Sequence, residues 1–253
     1  VTEETSLLPH DNPGTMSQRE MASLKPFNPS MGLMLESTSE RLYAEGGAHQ
    51  YAPSKRPRVR LRTIEIAGQL RVPFTTGILI GIGETRQERI DSILAIRRLH
   101  RTYGHIQEVI VQNFRAKPDT PMGGIPHATT DELLWTVAVA RLLLGPEMNI
   151  QVPPNLSAHD YEIYLDAGIN DWGGVSPLTI DYVNPEAPWP GLAQLRDRTS
   201  SKGFELRPRL PVYPEFFTED NGYLPTELKT KVTAMADSEG YVKGGIQRYA
   251  GID

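Results

Sequence analysis

Two hydrophobic periods alternate along the chain. Short apolar runs of strand length occur at Met31-Gly32-Leu33-Met34-Leu35-Glu36, Phe74–Gly81, Val109–Phe114 and Ile150–Pro153. Phe74–Gly81 is apolar almost throughout, as a strand covered on both faces is. Between these runs the apolar positions recur at helical spacing, and the starts carry caps. Ser17-Gln18-Arg19-Glu20 and Thr85-Arg86-Gln87-Glu88 read as capping boxes, the first opening a short helix that Pro26 stops. Pro57 opens a helix with Val59, Ile64, Ala67 and Leu70 on one side, running to the Gly68 region. Ile90, Ile93, Leu94 and Leu99 form the face of the helix after Thr85, ending near Gly104. Thr129-Thr130-Asp131-Glu132 caps a helix through Leu144 that Gly145-Pro146 closes, and Ser157 caps Ala158–Ala167 before Gly168. Leu192–Lys202 and Thr226–Ser238 are further helices, and Glu205–Pro211 reads as a last strand. Strands joined by connections of helical length imply a mainly parallel α/β sheet, with a closed or partly closed barrel favoured over a doubly wound sheet.

Charge and composition narrow the chemistry. The 253 residues carry 26 basic and 31 acidic side chains, a net −5, which argues against a phosphate-backbone binder. There is no cysteine, so these residues supply no disulfide, zinc-thiolate site, cysteine nucleophile or cysteine-ligated iron–sulfur cluster. The longest apolar stretches, Val72–Ile82 and Leu133–Leu144, fall short of the roughly 20 residues a membrane helix needs. The chain opens on Val1 with no signal-peptide pattern and reads as a fragment.

In a parallel α/β protein, chemistry gathers at the carboxyl ends of strands. That places Glu36, the turn Gly81-Ile82-Gly83-Glu84, the group Asn113-Phe114-Arg115 with Lys117 and Asp119, Pro153-Pro154-Asn155 and the turn Asp171-Trp172-Gly173-Gly174 among the candidates. The glycine turn runs into a capped helix, so its N–H groups are available to a ligand edge or an anion. It is no dinucleotide fingerprint, because Arg86 stands where the third glycine belongs. The plainer alternative is a tight strand-to-helix turn. Glu36, Arg115 and Lys117 equally suit solvated surface charges, although Asn-Phe-Arg at a strand end also fits a planar ring. The basic run Lys55–Arg62 lacks interleaved aromatics and reads as a solvated helix start with one arginine turned inward. The six histidines form no metal-ligand pair, and no G-x-S-x-G elbow occurs.

Five blocks, in order, carry a family resemblance: Leu7-Leu8-Pro9-His10-Asp11-Asn12-Pro13-Gly14; Ser30–Glu36; Pro73–Thr85; Glu108–Lys117; and Asp171–Leu178. From about Leu7 to Pro214 the sequence resembles the deazaflavin-forming radical-SAM synthases (FO synthases), either the separate subunit or the first half of the fused enzyme. The resemblance implies a partial (βα)6 TIM-like barrel, with S-adenosylmethionine and a 4Fe-4S cluster held on a C-x3-C-x2-C loop. It also implies radical chemistry that closes a 5-deazaflavin ring, with loss of ammonia, on a tyrosine-derived adduct of 5-amino-6-ribitylaminouracil. The product is the chromophore precursor of coenzyme F-420, and a sister radical-SAM subunit or fused second half makes the adduct. The implied setting is cytoplasmic, with no nucleic acid and no membrane.

On the matching positions, the resemblance assigns Glu36 and Arg60 to the ribose and carboxylate of S-adenosylmethionine, with Arg58 and Arg62 as close alternatives to Arg60. The strand and turn Gly77, Ile78, Gly81, Gly83 and Glu84 would contact the adenine. Asn113, Arg115 and Asn155 fall on the substrate side. No metal ligand is assigned here, because the barrel's cysteine loop and first strands are absent from these residues. The expected division is an incomplete barrel over 1–214 and a helical extension or linker over 215–253, inactive alone. A cluster-free binding or scaffold protein is the competing reading, and an unrelated α/β hydrolase or isomerase stands only if the resemblance is set aside.

Overall fold

The computed structural model describes residues 4–5, 7–157 and 159–245. Its sheet contains β1 (His10–Asp11), β2 (Ser30–Gly32), β3 (Phe74–Ile80), β4 (Ile106–Asn113) and β5 (Ile150–Gln151) in chain order, every neighbouring pair parallel. Asp171 bridges Gln151 in parallel and adds one further position beyond β5. Between the strands lie α1 (Gln18–Leu24), α2 (Pro57–Gln69), α3 (Arg86–Tyr103) and α4 (Thr130–Leu144). After β5 come α5 (Ile163–Ala167), α6 (Leu192–Ser201) and α7 (Thr226–Met235). When strand order equals chain order every crossover steps the same way, so the sheet wraps one lumen instead of reversing at a switch point. The architecture is a partial α/β barrel.

All but one of the N-caps read from sequence form as expected. Ser17 and Thr85 close reciprocal capping boxes with Glu20 and Glu88, Thr129 caps α4, and Gly104 ends α3 at φ 68°. Alternation divides each strand between two surfaces. Met31, Phe74, Ile78, Ile80, Val109, Val111 and Ile150 join the buried core with Ile64, Ile93, Ile96 and Val137 of the helices. The opposite row, paired by register, holds Gly32, Thr75, Gly77, Leu79, Glu108, Ile110, Gln112 and Gln151, and it faces the lumen. At Gly77 any β-carbon would run into the Ile110 carbonyl, so glycine permits the close approach of β3 and β4. Gly77→Ala is expected to cost about 1–3 kcal/mol, the usual price of overpacking. Urea unfolding measures it, and an unshifted midpoint would show that the two strands can spread.

Four segments differ from the sequence expectation. Glu205–Pro211 is no strand but an extended strap, because Pro208 and Pro211 cannot donate to a ladder. Ser157 ends a 3-10 turn, Pro154–Ser157, and its hydroxyl accepts from Tyr164 Oη at 3.1 Å instead of capping a helix. The helix accordingly begins at Ile163, while Ala158 lies outside the described residues. The strand expected through Glu36 pairs continuously only over Ser30–Gly32, and Glu36 rejoins β3 as a single bridge to Ile78. Ile150–Pro153 shortens to the two residues of β5. The strap and α7 build a second apolar cluster from Leu210, Val212, Phe216, Phe217 and Val232. Val1–Glu3 and residues 246–253 lie outside the described residues.

Candidate functional site

Glu36 stands in the left-handed region at φ 66°, a conformation that costs a non-glycine residue energy and persists only when its surroundings enforce it. β3 supplies the enforcement: Glu36 N donates to Gly77 O and Leu79 N donates to Glu36 O, both at 3.0 Å. The turned backbone aims the carboxylate at three basic side chains. Lys55 Nζ lies 2.7 Å away, and His49 Nε2 and Arg60 Nη1 each lie 3.3 Å away. Burial alone would raise the Glu36 pKa. Hydrogen bonds from His49 and Lys55, with the charges of Lys55 and Arg60, outweigh it and hold the carboxyl at about 2. Arg60 is itself buried and donates to the carbonyls of Met34 and Ser54. It is the arginine of the basic run that turns inward, while Arg58 and Arg62 are exposed. Lys55 and Arg60 around one carboxylate leave a positive surplus, which suits a zwitterion's carboxylate beside groups for its ammonium and hydroxyls.

The glycine turn is arranged differently from the expectation that its N–H groups await an anion. Glu84 folds back and accepts from Gly81 N at 2.9 Å and from Ile82 N at 2.9 Å. Its other neighbour is Arg89 Nε at 2.7 Å, and Arg89 continues to Glu132 and Thr136 on α4. The chain's own carboxylate therefore satisfies the turn, and Glu84 shapes it from below. Gly81 and Gly83, at φ 89° and 96°, make the bend possible. Arg41 covers the outside by donating to Gly83 O at 2.7 Å. The Ile78 side chain packs in the core, so Ile78 and Gly77 face the site only through the backbone that holds Glu36.

On the far side, Asn113 Nδ2 donates to Leu156 O at 3.2 Å, drawing the end of β4 to the turn that carries Asn155. Asn155 Nδ2 donates to Asp181 Oδ2 at 2.9 Å and to Ala187 O at 3.1 Å. The Oδ1 atoms of Asn113 and Asn155 and the Nε of Arg115 are buried without partners among the described residues. Lys117 is committed elsewhere, to Asn184 and Glu186.

The lumen also has a polar floor, of which sequence reading named only Asp171. Arg209, from the strap, pairs with Asp171 at 2.5 Å and Glu108 at 2.8 Å. Tyr213 Oη donates to Asp171 at 2.6 Å, and Thr75 Oγ1 donates to Glu108 at 3.1 Å. Burial pushes the Glu108 carboxyl up, reinforced by the Asp171 charge and opposed by Arg209. His10 and Ser30 continue the layer, with the Ser30 hydroxyl also donating to Pro211 O. The signal available in sequence was the polar pair Gln107-Glu108 ahead of the apolar run Val109–Val111. His49 and Lys55 were also missed, because neither sits in a ligand-spaced motif.

No family model matches the chain. Curated relatives do. An FO synthase of Streptomyces avermitilis is 56% identical over 238 residues, 94% of this chain and 28% of that protein. An FO synthase of Mycobacterium tuberculosis is 53% identical over 239 residues, again 94% and 28%. The 7,8-didemethyl-8-hydroxy-5-deazariboflavin synthase of Methanopyrus kandleri is 53% identical over 241 residues, covering 95% of this chain and 71% of that one.

The chain belongs to the FO synthase family.

It spans 28% of the length of the Streptomyces and Mycobacterium FO synthases and most of the Methanopyrus one. Among solved structures, the FeFe-hydrogenase maturase HydG of Carboxydothermus hydrogenoformans matches in fold. The TM-score is 0.56 at 18% identity, over 77% of this chain and 47% of that one. That likeness shows the fold alone, an α/β barrel present here in part. No helix among the described residues is long and apolar enough to cross a membrane.

Proposed function

We propose that the chain is the S-adenosylmethionine- and substrate-holding part of a radical-SAM synthase that closes the 5-deazaflavin ring, with loss of ammonia. The substrate in this reading is a tyrosine-derived adduct of 5-amino-6-ribitylaminouracil, and the product serves coenzyme F-420 biosynthesis. The observation that carries the reading is the Glu36 cluster, a strained, buried carboxylate among Lys55, Arg60 and His49 at the end of a barrel strand.

In this reading Glu36 accepts hydrogen bonds from the ribose hydroxyls or ammonium of S-adenosylmethionine, and Arg60 with Lys55 attracts its carboxylate. Gly77 and Ile78 hold Glu36 in place, and Gly81, Gly83 and Glu84 shape the wall beside the adenine. When bound in a radical-SAM enzyme, S-adenosylmethionine is the source of the radical that removes a substrate hydrogen. The unpartnered atoms of Arg115 and Asn155 are the substrate-side contacts in this reading, and Asn113 positions the turn that carries Asn155 through its bond to Leu156 O. A 4Fe-4S cluster does not fit this chain's own residues. There is no cysteine, and no group of three His, Asp or Glu side chains stands together among the described residues. The chain alone is accordingly inactive in this proposal, with residues 1–214 forming the incomplete barrel and 215–253 an extension. It acts in the cytoplasm with a sister subunit or fused half that makes the adduct.

A chimera tests this. The matching segment of the Streptomyces avermitilis FO synthase is replaced by this chain, and deazaflavin formation is followed by its absorbance and fluorescence. Product is expected from the soluble chimera. A folded, cluster-loaded chimera that makes none would sink the proposal.

A further inference from the structure

The lumen row offers more than the strand ends do. Gly32 and Gly77 send no side chain into the lumen from β2 and β3, and the His10 ring packs over Gly32. Around that level stand the side chains of Leu79 and Ile110, half-buried and outside the core between sheet and helices. Two amides interrupt this apolar wall. Gln112 pairs in register with Leu79, and Gln151 with Ile110, so both belong to the lumen face. Asn113, one residue on, belongs to the other face and turns to Leu156.

Neither glutamine side chain hydrogen-bonds to any described residue, although Gln151 is only 8% exposed. An amide so nearly enclosed, yet open to the lumen, is free to pair with a ligand, and a donor and acceptor left unmade there are costly once water is excluded. Gln151 is also held in position. Its amide lies flat against Gly173, at φ 77°, where any β-carbon would overlap it. Strand spacing and a two-residue step put the two positions about 8 Å apart along a diagonal of the lumen wall.

We propose that Gln112 and Gln151 read the imide edge of a pyrimidinedione ring bound across the lumen, which makes them specificity-determining residues of the deazaflavin site. This rests on the proposed function. A carboxamide carries a donor and an acceptor side by side, complementary to the adjoining N–H and C=O of an imide. The apolar side chains of Leu79 and Ile110 flank the ring faces, in keeping with the mostly apolar lining and few convergent polar groups of small-molecule sites. The polyhydroxylated chain of a deazariboflavin would then extend toward polar surroundings, away from that wall.

The test uses the 253-residue chain and two probes, 7,8-didemethyl-8-hydroxy-5-deazariboflavin and its N3-methyl derivative, followed by fluorescence anisotropy. Methylation removes the imide donor and leaves the rest of the ring intact. The parent compound is expected to bind about tenfold more tightly than the methyl derivative, the loss of one well-made buried hydrogen bond. Gln112→Ala and Gln151→Ala are each expected to weaken the parent by about fivefold and to erase most of that preference, with unchanged melting temperature. A purely structural role would move melting and leave the preference alone. Equal binding of both probes to the wild-type chain, or a preference that survives both substitutions, overturns the assignment while the proposed function stands. Wild-type binding of neither probe overturns both.

Discussion

Replacing Arg209 by methionine is expected to lower unfolding stability by about 3–5 kcal/mol at pH 8, the range found when one partner of a buried ion pair is removed. The loss comes from what remains. Glu108 and Asp171 would still share the Tyr213 hydroxyl, at 3.2 and 2.6 Å, without the guanidinium that now joins them. Methionine keeps most of the volume, so the effect reports charge more than a cavity. The pH dependence gives it a signature. Burial raises the Glu108 carboxyl above its unfolded value, so its favourable contribution is fully present below that value and is lost as pH rises through the folded one. Removing Arg209 takes away a charge that lowers this pKa and moves it further up. The variant should therefore lose distinctly less stability at pH 5, where Glu108 is protonated, than at pH 8. Paired urea titrations at the two pH values measure this. Equal losses would mean that the strap is held by its apolar contacts and not by the ion pairs.

That network also marks where sequence reading stopped. Helix starts were legible because Ser17, Thr85 and Thr129 announce them through local hydrogen bonds, three residues from cause to effect. β3 was legible because an apolar run of its length admits few other fates. Glu36 and Arg60 were reached through strand-end position and family resemblance, and the structure brings them within 3.3 Å. The lumen floor was not legible, since Glu108 and Arg209 lie 101 residues apart and no local pattern joins them. Parity was the other obstacle. Asn113 and Gln112 are neighbours in sequence, yet a strand sends successive side chains to opposite faces, so an error of one residue exchanges lumen for helix layer. Only the pairing of Gln112 with Leu79 decides which faces inward. Glu205–Pro211 misled for a related reason: it is extended, but its prolines leave it without a ladder to join.

Glu36→Ala is the complementary case, with the opposite dependence on pH. The substitution is expected to cost about 3 kcal/mol near neutrality. It leaves the buried Arg60 with only carbonyl partners, while the backbone strain at φ 66° is the same for alanine as for glutamate. Because the folded carboxyl is held at about 2, its contribution is present above the unfolded value near 4.5 and fades as pH falls toward 2. The gap between wild type and variant should thus be constant from pH 8 to pH 5 and close below pH 4. Glu36→Gly removes the charge and relieves that strain together, since glycine accepts the left-handed backbone without penalty. If Glu36→Ala is as stable as wild type, the ion cluster contributes nothing to the fold, and any gain of Glu36→Gly over Glu36→Ala measures the backbone strain. In the chimera, both variants are expected to weaken S-adenosylmethionine binding at least tenfold, measured by equilibrium dialysis. Stability recovered by glycine without recovery of binding would separate the two roles of Glu36. The carboxylate would then serve the ligand, and the strained backbone would be what the fold tolerates in order to present it.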